Sequence, residues 1–521
     1  MLPLAAALLA LTVMSAWKSV YFDLYEQNEI PRYRTDAPWA LLLLLAAVIV
    51  LASVLQSGAA RRATGLTADD LRQGEARRQN AASRWLLPAA LTVAGTISLA
   101  VLFLLRPQPY ADSIAVSKIA EEFLRGDYRA FSPAGGDDYL TVYPFQIGFI
   151  AFLELVYAVF GSGRYLALQL MNAAAAVVMV RNLSELTGEV FGKKTQPYFL
   201  PLSALMLPLF FKVGFLYGDV CGWSLAIGAF LLLFRWLRDN RKRHVLWAGV
   251  LLAAAILLKT NEMIFLVAMV MILLAAAFVK KSVRLLWMPA YLIACVLLLG
   301  TCVESVYTHA AGLERFPQGA PKTSWIAMGL QEDEYAEYGW YNGYNRNNYA
   351  AHGYDYDAAN AAAVEDIRRS VRGFAQNPGH ALYFFYKKFV STWNDPAFQS
   401  QISMEWGSRH VENLSPLANS VLYGGGRRAL YQVMNGVHFV VLALAAWRVL
   451  LSFGRREKER QWKTAAFLLP VFGGMAFHLL WETQCHYVIV YYCMLFPVAA
   501  DGLREAAVCG AAIGKRWSRK I

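Results

Sequence analysis

Apolar positions fall in long unbroken runs rather than in the alternation of a strand or the half-apolar stripe of a soluble helix. Runs of roughly 17–25 residues match the thickness of a bilayer when helical. They lie at about 3–17, 38–56, 86–105, 164–181, 197–213, 219–236, 245–259, 262–279, 285–303, 430–451, 464–480 and 486–505. Continuous runs exclude a membrane barrel, whose short strands alternate. The pattern predicts an all-α polytopic membrane protein of about 12 transmembrane helices. A further apolar stretch, 143–161, opens on Tyr143-Pro144 and carries Glu154 in its middle. It predicts a helix lying in the outer interface instead of a crossing one.

The polar stretches between the runs divide the chain. Residues 1–85 hold two predicted spans and a basic loop, and 86–303 form a membrane module that includes a first outer loop at 106–163. Residues 304–429 make a tyrosine- and asparagine-rich outer lobe, and 430–521 hold the last spans and a basic tail. No internal repeat is visible.

Composition agrees. Of 521 residues, 57% are hydrophobic and only 17% charged, far from a soluble chain of this length. The net charge of +12 would raise nucleic-acid binding, but its placement excludes it. The positive residues crowd into short linkers, "RRATGLTADDLRQGEARR", "RWLRDNRKRH", "KKSVR", "GRREKERQWK" and "GKRWSRK". That is the distribution of cytoplasmic loops, and it puts both termini inside. The six cysteines, Cys221, Cys295, Cys302, Cys485, Cys493 and Cys509, lie in or beside apolar runs without paired spacing, as small membrane-helix residues do. The first run lacks the basic start of a cleavable signal.

With the linkers inside, ionisable residues near apolar sequence gather on the outer face. Asp112 follows a span, Asp219 sits in "LYGDVCGW", Lys259 and Glu262 in "LLKTNEM", and Glu482 and His486 in "WETQCHYVIVYY". Charges at such depths are costly and often functional. Each also has a plainer reading: Asp112 as a solvated loop acid, Asp219 as a helix cap, Lys259 as a snorkelling lysine, and His486 as a residue paired with Glu482 one helical turn away.

The order of these residues resembles the GT-C membrane glycosyltransferases, in particular the protein O-mannosyltransferase-like and aminoarabinose-transferase-like group. The resemblance covers roughly 86–303 and the C-terminal spans. It rests on an acid in the first outer loop (Asp112), Tyr143-Pro144 before a helix ending at Gly161, Asp219 at an outer helix junction, Lys259 late in an apolar helix, and Glu482-Thr-Gln-Cys-His486-Tyr487 ahead of Pro497. Two departures stand out. The family's arginine is replaced by His486, a titratable group for a permanent cation, and the loop motif reads Tyr-Pro-Phe, not a double proline.

The resemblance implies a GT-C-like bundle that takes a sugar from a polyprenyl-phosphate donor with inversion. Such transfer needs a base for the acceptor hydroxyl, for which Asp112 is the candidate. It needs stabilisation of the leaving phosphate, for which Lys259, His486 and Lys388 (with Lys387 beside it) are candidates. Asp219, Glu482 and Asp138 are supporting acids, and Tyr143, Trp325, Trp340 and Tyr344 offer faces to sugar or acceptor. Asp137, Asp138 or Asp219 are also the candidates for a divalent metal, and a second carboxylate near the donor would permit retention. The implied partners are the lipid-linked donor, membrane lipids and an acceptor that is protein, wall polymer or lipid. The implied setting is a bacterial plasma membrane with the site extracytoplasmic. A lipid-sugar transporter and a non-catalytic scaffold are the rival readings.

Overall fold

The computed structural model describes residues 1–518 apart from 24–29, 62–67, 133–137, 335 and 455–457, and the backbone alone of 57–61, 68–84, 454 and 514–518. Asp137, the linker at 61–78, part of that at 454–463 and the tail from 514 therefore lie outside the described side chains.

The chain is helical almost throughout. Helices α1 (Leu2–Trp17) and α2 (Pro38–Arg61) flank the only described sheet, a hairpin of β1 (Lys18–Phe22) and β2 (Pro31–Thr35). Then come α3 (Ala68–Leu105), α4 (Asp112–Leu124), α5 (Tyr139–Val142), α6 (Ile147–Phe160), α7 (Leu166–Phe191), α8 (Gln196–Ser203) and α9 (Leu207–Lys212). The central helices are α10 (Asp219–Asp239), α11 (Lys242–Leu258), α12 (Met263–Val279) and α13 (Trp287–Ala310). Six shorter or amphipathic helices form the lobe: α14 (Lys322–Gly329), α15 (Tyr344–Ala351), α16 (Tyr356–Gln376), α17 (Pro378–Trp393), α18 (Ser400–Ser408) and α19 (Pro416–Tyr423). Helices α20 (Gly425–Gly454), α21 (Lys458–Leu480) and α22 (Ile489–Ser518) complete the bundle.

Among the described residues nine helices are long and apolar enough to cross a membrane. The other three predicted spans are shorter or broken helices. Helices α1 and α11 have 16 and 17 residues, about 25 Å at 1.5 Å per residue. The run at 197–213 breaks into α8 and α9, where Pro201 inside the first and Pro208 opening the second forbid one continuous helix.

Hydrogen bonds near the start of α7 show how the first loop closes. Gln169 donates to the carbonyls of Pro107 (2.8 Å) and Gly214 (3.0 Å), and Asn172 donates to those of Val213 and Phe215. The chain thus leaves α3 and enters α7 at one end of the bundle, and α4, α5 and α6 return to where they began. Helix α6 has 14 residues and packs on α4 and α11. Its Glu154 accepts a hydrogen bond from Tyr307 (2.5 Å), so the acid in this apolar helix is satisfied. By the same alternation the linkers at 239–242 and 280–283 lie at the far end of the bundle.

Helix α10 is the pivot, packed against α7 and α11 and buried along most of its length. Asn240 ends it in a left-handed conformation (φ 59°). Its start needs glycine: a Cβ on Gly218 would lie 2.0 Å from the carbonyl oxygen of Leu258. A Gly218→Ala substitution should push α10 off α11 at a cost of about 1–3 kcal/mol. Thermal unfolding in detergent should show the loss, while Gly300→Ala, where a Cβ meets nothing within 4 Å, should leave the midpoint unchanged or slightly higher.

Candidate active site

The loop before Asp112 is held in strain. Arg106 (φ 49°) and Ala111 (φ 48°) both sit in the left-handed region without being glycine. The backbone between them is anchored by Gln108 N–H donating to Gly407 O (2.7 Å), and Tyr110 packs on Phe215 and Trp406. This places Asp112 in the first turn of α4, accessible from a cavity of about 1170 Å³.

That cavity gathers Asp112, Tyr143, Lys259, Trp325, Trp340, Glu482 and His486 from among the site candidates. They come from the first outer loop, the α11–α12 junction, the lobe and the α21–α22 junction. The surrounding protein desolvates the Asp112 carboxyl and raises its pKa above the ordinary carboxylate value, with the Lys259 charge opposing. Glu482, buried in the loop after α21, is pushed up to about 7 by burial, with the Tyr487 hydroxyl and two lysine charges opposing. Tyr487 donates to Glu482 Oε1 at 2.9 Å.

Lys259 owes its position to the end of α11, where an extended backbone (φ −149°, ψ 107°) turns the chain into α12. Its ammonium lies 2.8 Å from Asp219 Oδ1 and over the rings of Tyr217 and Tyr487. Asp219 is itself buried and also faces Lys212 at 3.6 Å. It does not line the cavity; it holds one wall of it.

His486 places Nδ1 2.7 Å from Gln399 Oε1, and its backbone N–H points to the same oxygen (3.4 Å). Nδ1 therefore carries the hydrogen, and Nε2 is the atom left for a ligand. A neutral His486 accepts at Nε2 and donates to a phosphate only when protonated.

The remaining candidates sit elsewhere. Lys388 is buried outside the cavity wall, where its ammonium donates to the carbonyls of Gly329 (2.5 Å) and Trp481 (2.8 Å). Burial lowers its pKa to about 7. It clamps the Glu482 loop to the lobe and is not placed to meet a phosphate. Asp138 pairs with Arg346 (2.6 Å) and accepts from Tyr354 (3.1 Å). Lys387 pairs with Glu337 (3.4 Å), and Tyr344 donates to Asp366 (2.5 Å).

Among the described residues no three His, Cys, Asp or Glu side chains are grouped to hold a metal ion. Asp219 and Asp138 are committed to cations, so their surroundings do not fit a divalent metal.

Lys212, Gln399, Tyr217 and Tyr341 line the cavity and escaped the sequence reading. Lys212, a lone lysine closing "LPLFFK", carries the same signal as Lys259; Gln399 carries none.

Beyond its polar end the cavity runs along Met263, Ile264, Val267 and Met271 of α12 and Leu469, Phe472 and Phe477 of α21. One wall is thus made of two membrane-length helices.

Residues 146–304 match the dolichyl-phosphate-mannose-protein mannosyltransferase family. This supports the GT-C class of membrane glycosyltransferases and agrees with the resemblance read from the sequence. The matched stretch contains Asp219 and Lys259, with Asp112, Glu482 and His486 outside it. The chain is also loosely similar to the Archaeoglobus fulgidus oligosaccharyltransferase, crystallised with zinc and sulfate, at 14% identity and a TM-score of 0.42 over 82% of this chain and 51% of that one. This chain thus spans about half the length of that protein, and a likeness so loose carries no argument. No curated protein matches.

Replacing Asp219 with asparagine would leave Lys212 and Lys259 buried against a neutral amide. Breaking such a pair typically costs about 3–5 kcal/mol. We expect a lower unfolding midpoint in detergent for Asp219→Asn and a smaller loss for the doubly neutral Asp219→Asn/Lys212→Met protein.

Proposed function

We propose that the protein is a multi-pass membrane glycosyltransferase that moves a sugar from a polyprenyl-phosphate carrier to an acceptor hydroxyl on the extracytoplasmic face. The observation that carries this reading is the cavity's two-sided chemistry. A carboxylate and cations stand at one end, and walls of two membrane-length helices lead away from them. A lipid-linked sugar has the same division, with an apolar chain joined to a phosphorylated sugar.

In this reading the isoprenoid lies along α12 and α21, and its phosphate faces Lys259. Asp112 takes the proton of the acceptor hydroxyl as its oxygen attacks the anomeric carbon from the face opposite the leaving phosphate, which inverts the centre. The bond from the anomeric carbon to the phosphate oxygen breaks, and the charge that develops there is met by Lys259. Trp325 and Tyr143, 6.2 Å apart edge to face, flank the sugar. The match over 146–304 supports the transfer chemistry. The basic linkers at the end away from Asp112 support the extracytoplasmic placement, and a bacterial plasma membrane suits the lipid donor. The acceptor is protein, wall polymer or lipid.

The test is transfer from a mannosyl or aminoarabinosyl polyprenyl phosphate in proteoliposomes. Asp112→Asn should lower turnover by about 10²- to 10⁴-fold with an unchanged unfolding midpoint; full activity in that variant would remove Asp112 as the base. The base works deprotonated, and burial raises its pKa. The rate should therefore fall as pH drops through a value above the ordinary carboxylate range of about 4, and Asp112→Asn should abolish that limb in whatever activity remains. Lys259→Met should lower turnover more than it raises the donor KM, because its charge acts on the leaving group.

A further inference from the structure

A second cavity, of about 790 Å³, opens beside the first and shares one residue with it, Gln399. Its volume falls within the range of small-ligand sites. Tyr33, Arg34, Asp395, Gln399, Arg427 and Arg428 are among its lining residues.

The wall between the two cavities is a strained turn. Phe398 (φ 46°) and Gln399 (φ 57°) are consecutive non-glycine residues in the left-handed region, a conformation that must be held by its surroundings. Asp395 holds it. Its buried carboxylate accepts from the backbone N–H groups of Ala397 (2.9 Å) and Gln399 (2.6 Å). The turn presents the Gln399 side chain, only 3% exposed, to His486 in the first cavity.

The arginines of the second cavity make hydrogen bonds to neutral groups. Arg427 donates to the carbonyl of Phe22 (3.0 Å). With the Gln432 amide turned so that its oxygen faces Arg34, that oxygen lies 2.6 and 2.9 Å from the two guanidinium nitrogens. Both partners are neutral. Among the described lining residues Arg34, Arg427 and Arg428 outnumber the two acids, Asp23 and Asp395, by one charge. Three forked cations beside tyrosine rings suit carboxylate or phosphate groups borne on a sugar chain.

We propose that this second cavity is the acceptor site and that it takes an anionic glycan, one bearing carboxylates or phosphates, whose hydroxyl reaches the donor past Gln399. The proposal rests on the transferase reading above and adds the acceptor's chemical class and its route of entry. Gln399 lines both cavities and is the point at which they meet.

The experiment measures binding by the full-length protein in detergent, without donor, using hexagalacturonate, a glycerol-phosphate oligomer and the neutral maltohexaose. Wild-type protein and Asp112→Asn should bind at least one anionic probe alike and should bind it in preference to maltohexaose. Arg34→Glu/Arg428→Glu should weaken that binding by about tenfold or more. Both side chains are exposed, and Arg34→Gln/Arg428→Gln provides a milder pair should the reversal disturb folding. Equal binding of neutral and anionic glycans, no binding of any probe to the wild type, or full binding to both charge variants would overturn the proposal. Because no donor is present, an absence of sugar transfer bears on the transferase reading alone. Transfer that persists with anionic binding untouched by the arginine variants counts against this site alone.

Discussion

A buried carboxylate must be paired, and that constraint organises the cavity end of this protein. Asp219 lies out of solvent at the start of α10, and the two lysines that neutralise it come from α9 and from the end of α11. Three chain segments are thereby fixed around one charge. The arrangement has a second effect. Lys259 is bound to Asp219 yet remains on the cavity wall, so its cation is oriented before any ligand arrives. Orientation established in advance is what allows a charge to favour a transition state over a ground state.

The same end of the molecule is tied together by backbone groups. Gly329 lets the lobe approach the α21–α22 loop so closely that a Cβ there would collide with the loop backbone, and Gly339 (φ 67°) packs as tightly on Gly329 within the lobe. Glu482 N–H donates to Trp325 O (3.2 Å), and Thr483 N–H donates to Gly339 O (3.1 Å). Lys388 completes the seam by donating to carbonyls on both sides of it. The lobe is thereby stitched to the bundle along one edge of the cavity, and the aromatic faces it contributes are set relative to Glu482 and His486.

Much of this was legible in the sequence because membrane helices announce themselves locally. An apolar run of sufficient length has few other fates, and nine of the predicted spans are helices of that length. The interfacial reading of 143–161 rested on Glu154 and the proline, and the structure turns the chain back at α6. The break at 197–213 was also written there, in Pro201 and Pro208, but the apolar count outweighed it. Polar pairing across long separations left no trace. Lys388 looked like a free cation because its carbonyl partners are 59 and 93 residues away. Gln399 looked like nothing because its importance comes from a turn held by Asp395 and from a histidine 87 residues on. The hairpin of β1 and β2 went unread as well; it is fastened by Val20 N–H to Asn394 O (3.0 Å) and by Phe22 against Trp340.

The cavity draws its residues from opposite ends of the chain, and this has a consequence for biosynthesis. Asp112 and His486 are about 370 residues apart. At about 5–20 residues per second a ribosome needs roughly 20–75 s to travel between them. Helices α2 and α20 pack against α22, so that helix joins early and late parts of the bundle. The cavity exists only once segments on both sides of that interval have been made and packed together.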